Sequence, residues 1–148
     1  KANSAKTIKQ NVKARKQALK SLGTLHKEAQ ASFNKYIRLR DKDLPCISCQ
    51  RHHTGQNHAG HFLSIGSSPE LRYAESNVHL QCSVCNNHLS GNLINYRANL
   101  VKKIGIEHVE ALEGPQEPKR YRHEEILAIK AKYKLLTKEL TIKLEGAA

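Results

Sequence analysis

The chain has 148 residues and a mass of 16.7 kDa, which allows one modest core and not two. Hydrophobic residues are 39% and charged residues 26% of it, and no apolar run nears the ~18 residues of a membrane span, so an integral helical membrane protein is excluded. A net charge of +12 points to a polyanionic partner, of which nucleic acid is the commonest.

The charge is uneven. Residues 1–42 carry twelve Lys/Arg against Glu28 and Asp41; residues 43–118 carry five against seven acids; residues 119–148 carry eight against four. Two basic arms therefore flank a near-neutral middle; solvated, solubilising helix faces are the alternative reading. There is no apolar signal segment. Residue 1 is Lys and Met is absent, so the chain reads as a trimmed product of a longer one.

Residues 4–40 are predicted helical with a break near Gly23. Ile8, Val12, Leu19 and Leu22 recur at helical spacing, as do Leu25, Ala29, Phe33, Tyr36 and Ile37, with Thr24 as a cap for the second part. Asp43-Leu44-Pro45 ends the helix. Residues 44–65 suit a Cys knuckle followed by an irregular hairpin, and 66–69 a loop. Asn77–Gln81 alternates as a short strand. Beyond Cys85, Leu89, Leu93, Tyr96, Leu100 and Ile104 share a helical face that Gly105 ends. A short helix over 106–113, a rigid linker over 114–118 and a last helix over 122–144 follow. The last helix carries a narrow seam of Ile126, Ile129, Tyr133, Leu136 and Leu140, as in helix–helix pairing. The fold class is α-rich α+β, divided into a basic helical arm (1–42), a knuckle core (43–105) and a C-terminal part (106–148) packing on the core or on a partner subunit.

The four cysteines, Cys46, Cys49, Cys82 and Cys85, form two C-x-x-C pairs with none left over. Without a secretion signal this spacing favours a tetrahedral thiolate site for structural Zn²⁺ over disulfides. Six of the nine histidines lie between residues 52 and 88. Four thiolates already close a zinc site, so the extra His and Asn suggest a second, open cation site on the same scaffold. The acids between the knuckles are Glu70 and Glu75 alone, too few for a carboxylate-held two-metal centre or a paired-carboxylate glycosidase. What remains is chemistry with a His base and one divalent cation, Mg²⁺ or Mn²⁺, which phosphodiester hydrolysis can use.

The ordered set Cys46-x-x-Cys49, His58-Ala-Gly-His61, Asn77, Cys82-x-x-Cys85-Asn86 resembles the HNH (ββα-metal, His-Me finger) nuclease motif of the endonuclease VII type. More specifically, Asp43-Leu-Pro-Cys-Ile-Ser-Cys49, Ala59-Gly-His61, Pro69-Glu-Leu-Arg72, Gln81-Cys82, Cys85-Asn86, His88, Ser90-Gly-Asn92 and Tyr96-Arg97 resemble the NinG (Rap) family of lambdoid-phage recombination proteins, over about residues 30–140. The resemblance implies a zinc-stapled ββα core between long basic helices, acting in the bacterial host's cytoplasm as an endonuclease on branched DNA such as Holliday junctions and D-loops. By matching position it implies His61 as general base, Asn86 as catalytic-metal ligand, and Asn77 as a brace for the loop. His58 and His88 join Asn86 as candidate cation ligands, and Arg72 and Arg97 are candidate phosphate forks, with salt bridges to Glu70 or Glu75 as the alternative. Two positions depart from the pattern: Gly60 stands where the wider motif often has Asp, and His58 where NinG-like chains tend to carry Asp. An imidazole suits Mn²⁺ better than Mg²⁺. His52 and His53 read as solvated or phosphate-contacting, and His79 as pointing away from the site. Two symmetric cuts make a homodimer attractive. The other readings are a non-catalytic zinc module that binds DNA, and a zinc-knuckle protein that binds a protein partner through its terminal helices.

Overall fold

Leu25, Ala29, Phe33 and Ile37 recur every four residues, so a helix there presents one continuous apolar stripe. That stripe forms the main core. In the computed structural model, which describes residues 2–147, α1 spans Ala2–Ala18 and α2 spans Leu22–Arg40. The break falls at residues 19–21 and not at Gly23. Ser21, not Thr24, is the cap, its hydroxyl accepting from the Thr24 N–H at 3.2 Å. Gly23 lies within the first turn of α2, where a capped helix tolerates it.

The two β-strands, β1 (Asn57–His61) and β2 (Val78–Cys82), pair antiparallel with His61 opposite Val78 and Asn57 opposite Cys82. The hairpin expected within residues 44–65 is therefore absent: the partner of β1 comes from beyond the 62–77 connection. Every residue of β2 is buried. Its outer edge is closed by groups distant in sequence. The Leu80 N–H donates to the Asp41 carboxylate (3.1 Å), and the Leu80 carbonyl accepts from the Ile47 N–H (2.9 Å). This is one way a two-stranded ribbon avoids an open edge.

After β2, residues Val84–His88 form one π-helical turn, and Ser90, Gly91 and Asn92 all have positive φ (48°, 88° and 44°). Three such residues cannot continue a right-handed helix. The helix expected directly after Cys85 therefore begins only at Leu93, and α3 spans Leu93–Ile104. Leu89 and Leu93 lie exposed, while Tyr96 and Leu100 are fully buried. Gly105, at φ 91°, ends α3 and leads into α4 (Ile106–Glu113).

The last helix, α5, spans His123–Gly146 and packs along α2. Ile126 and Tyr133 are buried against Phe33, and Ile129 and Leu136 flank them. Phe33 and Tyr133 meet edge to face at 4.7 Å. The seam is thus used within the chain. A second core holds Ile47, Phe62, Leu71, Tyr96, Leu100, Val109 and Leu112, so the expectation of one core and not two does not hold: the stripes of α2 and α5 close on each other, while those of α3 and α4 close separately over Phe62 and Leu71. Only α1, with no buried residue, stands off both cores. Its apolar positions Ile8 and Val12, and Leu19 just past its end, are exposed. No helix among the described residues is long and apolar enough to cross a membrane.

Candidate functional site

The two knuckles converge. The four cysteine sulfurs lie within 4.8 Å of one another, and Cys46, Cys82 and Cys85 are buried. Tetrahedral thiolate ligation at ~2.3 Å from a central ion needs sulfurs roughly that close, so this cluster can hold a structural metal such as zinc. Its surroundings fit the same purpose. The Cys85 N–H points at Cys82 Sγ (3.4 Å), the Asn92 amide at Cys85 Sγ (3.6 Å), and His53 Nε2–H at Cys49 Sγ (3.2 Å). Such N–H···S bonds offset thiolate charge. Burial pushes the Cys85 thiol up to about 12, so it needs a bound cation to ionise at neutral pH. His53, expected to be solvated or to contact phosphate, is instead a partner of the cluster; its position four after Cys49 is the one hint the sequence offers.

Beside the cluster lies an open cleft of about 430 Å³. His61 at the end of β1 and Asn86 in the π-helical turn both line it, together with Ser64, Ser67, Ser90 and Gly91. His61 Nε2–H donates to the Arg72 carbonyl at 3.0 Å. That bond settles the tautomer: Nδ1 keeps the lone pair. Burial lowers the His61 pKa, the Arg72 carbonyl partly opposes this, and the Arg72 charge lowers it further, so the ring is neutral at pH 7. A neutral imidazole with one nitrogen anchored and the other free can accept a proton.

The loop that carries the Arg72 carbonyl is held from below. Asn77 is fully buried; its Oδ1 accepts from the Leu63 N–H (2.9 Å), and its amide donates to the Leu63 and Leu71 carbonyls (3.0 and 3.4 Å). The peptide preceding His61 is held too. The hydroxyl of buried Tyr96 donates to the Gly60 carbonyl at 2.7 Å. A Cβ at Gly60 would stand 2.0 Å from Gln81 Oε1, so this close approach requires glycine. Gln81 in turn donates to Ser48 Oγ in the first knuckle (2.8 Å) and to the Gly91 carbonyl at the cleft (2.6 Å). The cysteine cluster and the cleft are thus braced by one side chain, a role that its place beside Cys82 in the sequence does not indicate.

Other candidates are placed elsewhere. Strand alternation puts His58 on the opposite face of the ribbon from His61, beside Gln81, and it does not line the cleft. His88 is exposed and outside the cleft. Among the described residues, the cysteines are the one group of three or more His, Cys, Asp or Glu close enough to share an ion, so His58, His61 and His88 do not form such a set. Arg97 is not free for phosphate: its guanidinium grips Glu113 through two bonds of 2.8 and 2.9 Å. Arg72 pairs with neither Glu70 nor Glu75; its Nε donates to Gln30 of α2 at 2.9 Å. His79 points away from the cleft and is buried, with Nε2–H on the Ser76 carbonyl (2.9 Å) and Nδ1 accepting from Lys103 (2.8 Å).

A family model described as Bacteriophage Lambda NinG protein matches residues 1–143. The chain is 46% identical over 132 residues to Protein ninG of Escherichia phage 933W, covering 89% of this chain and 66% of that protein. It is likewise 46% identical over 129 residues to Protein ninG of Salmonella phage P22 and of Escherichia phage lambda, covering 87% of this chain in each case, and 64% and 63% of those proteins. In each case the match spans less than two thirds of the relative's length. No solved structure matches the chain. The chain belongs to the NinG family.

Proposed function

We propose that the chain is a metal-dependent DNA endonuclease with an HNH-like ββα site, acting on branched recombination intermediates. The observation that carries this reading is the cleft shared by His61 and Asn86, with His61 Nε2 anchored on the Arg72 carbonyl and Nδ1 left to accept a proton. In this reading His61 takes a proton from the attacking water. Ser64, Ser67 and Ser90 offer hydroxyls to the phosphate, and the cysteine cluster with Gln81 keeps the cleft walls in register. A divalent cation at Asn86 would neutralise charge at the phosphate and the leaving oxygen. The cleft lining contains no carboxylate, so Asn86 would offer such a cation its amide oxygen and the substrate and solvent would have to supply the rest.

A second reading, a zinc-stabilised DNA-binding accessory protein without catalysis, is favoured by that thin donor set and by His58 facing away from the cleft. One experiment separates the two. The protein is incubated with a four-way junction and a matched duplex in Mg²⁺, Mn²⁺ or EDTA. The nuclease reading expects cation-dependent nicks with 5′-phosphate and 3′-hydroxyl ends on the junction, lost in His61→Ala. Binding without cleavage under every cation supports the accessory reading instead.

A further inference from the structure

We infer that one face of α1, formed by Lys6, Lys9, Lys13 and Lys16, is a handrail for the phosphate backbone of a duplex arm entering the cleft. This rests on the DNA-binding part of the reading above and names the surface. The four lysines alternate by steps of three and four, so they share one side of the helix. At ~1.5 Å rise per residue they place a charge every ~5–6 Å along roughly 15 Å. All four are exposed, and none is in an ion pair among the described residues. By contrast Lys20, next in the same series, is taken up by Glu28 at 2.6 Å.

The rest of the molecule narrows the occupant. α1 carries no acid, and Arg15 adds a fifth cation, so packing α1 against α1 of a second copy would set ten positive charges together. An anionic membrane is a poorer fit. Ile8, Val12 and Leu19 make a thin apolar strip with no aromatic residue to seat it in lipid. No residue of α1 is fully buried, and Gln17, on the side towards α5, is the one half-buried, so the lysine face is left to solvent. Position supports a backbone partner. Gln30 of α2 holds Arg72, whose carbonyl holds His61, and α1 ends at Ala18, just before Ser21 caps the start of α2. Nine residues of helix, ~14 Å, separate Gln30 from that junction. A duplex with a strand in the cleft would extend well past this distance.

The test replaces Lys6, Lys9, Lys13 and Lys16 together with Gln. With no buried residue in α1, the variant is expected to keep the parent's circular dichroism and thermal midpoint. Affinity for a labelled junction is measured in EDTA across a salt series. Each phosphate contact contributes about 0.9 to the slope of log K against log salt, so the slope should fall by about 3–4 and affinity at low salt by tenfold or more. Single-turnover cleavage at saturating junction should keep its rate constant, with the half-saturating concentration raised. An unchanged slope would overturn the inference, as would a loss of binding to phosphatidylserine vesicles with junction binding intact. If neither protein cuts the junction, the nuclease reading fails on its own, and the slope still decides the lysine face.

Discussion

The Asp41 carboxylate and the Leu80 backbone N–H are joined by a 3.1 Å hydrogen bond across 39 residues, tying the end of α2 to the centre of β2. The same carboxylate takes two bonds from Arg40 (2.8 Å each) and one from Lys103 of α3 (3.1 Å). Burial would raise the Asp41 pKa, but the hydrogen bonds and charge of Arg40, the Lys103 charge and the Leu80 N–H outweigh it and hold it at about 2. Three elements around the cysteine cluster thus meet on one buried anion. Replacing Asp41 by Asn leaves two cations facing a neutral amide. Because both cations are part exposed, the expected loss is about 2–4 kcal/mol, read from urea unfolding. A loss under 1 kcal/mol would mean the anion is not the tie.

His79 sits in the same network and stays neutral. Burial, then the Lys103 charge, lower its pKa to about 4, so its 3.8 Å approach to Asp41 is not an ion pair. The unfolded chain binds a proton here near pH 6.5, whereas the folded chain resists until about pH 4. Stability is therefore lost as pH falls from 6.5 towards 4, by about 3 kcal/mol for this residue. The His79→Gln variant should flatten that part of the stability–pH curve relative to the parent. Parallel curves for the two proteins would contradict this assignment.

Gly60 is the tightest contact beside His61. Gly60→Ala sets a methyl group against both Gln81 Oε1 (2.0 Å) and Gln81 Cβ (2.9 Å), and the second cannot swing aside. Overpacking of this kind destabilises by about 1–3 kcal/mol. A midpoint unchanged in urea would show that the ribbon gives way freely.

Loss of the metal should matter more than any of these. Zinc binding contributes roughly 10–16 kcal/mol in zinc-finger peptides, and Cys46, Cys82 and Cys85 are buried in a cluster of their own. The purified chain is expected to contain one zinc ion by elemental analysis, and a strong chelator should unfold residues 43–105 by circular dichroism. Cys85→Ser should lose the ion. A chain that stays folded without metal would assign the cluster a different purpose.

His61 also makes a kinetic prediction. Its pKa lies below the ordinary histidine value, so any cleavage rate that depends on the free imidazole should already be near its plateau at neutral pH and fall on the acid side. A single-turnover pH profile on an intact junction, corrected for cation binding, tests this. A rate still climbing through pH 7.5 would point to another base.

Much of this could be read without coordinates. The C-x-x-C pairs announced a metal cluster, because two tight turns each present two sulfurs whatever surrounds them. The Leu25–Ile37 stripe, the 106–113 helix and the Gly105 stop depend on neighbours within a few residues, and local rules reach that far. Leucine spacing runs on across Leu89 and Leu93 and so suggests too early a start for α3, whereas the backbone turns at Ser90–Asn92, where Asn92 meets Cys85. Arg97 and His58 were assigned by residue type; which partner a guanidinium meets, or which side of a ribbon a ring takes, depends on register and on distant segments. The local sequence places Tyr96 on a helix face and Gln81 beside a knuckle, but gives no sign of what they, or Asp41, bond to. Their roles exist only once α2, β2 and α3 are folded around them, because a hydrogen bond spanning tens of residues is set by where the chain returns and not by its neighbours in sequence.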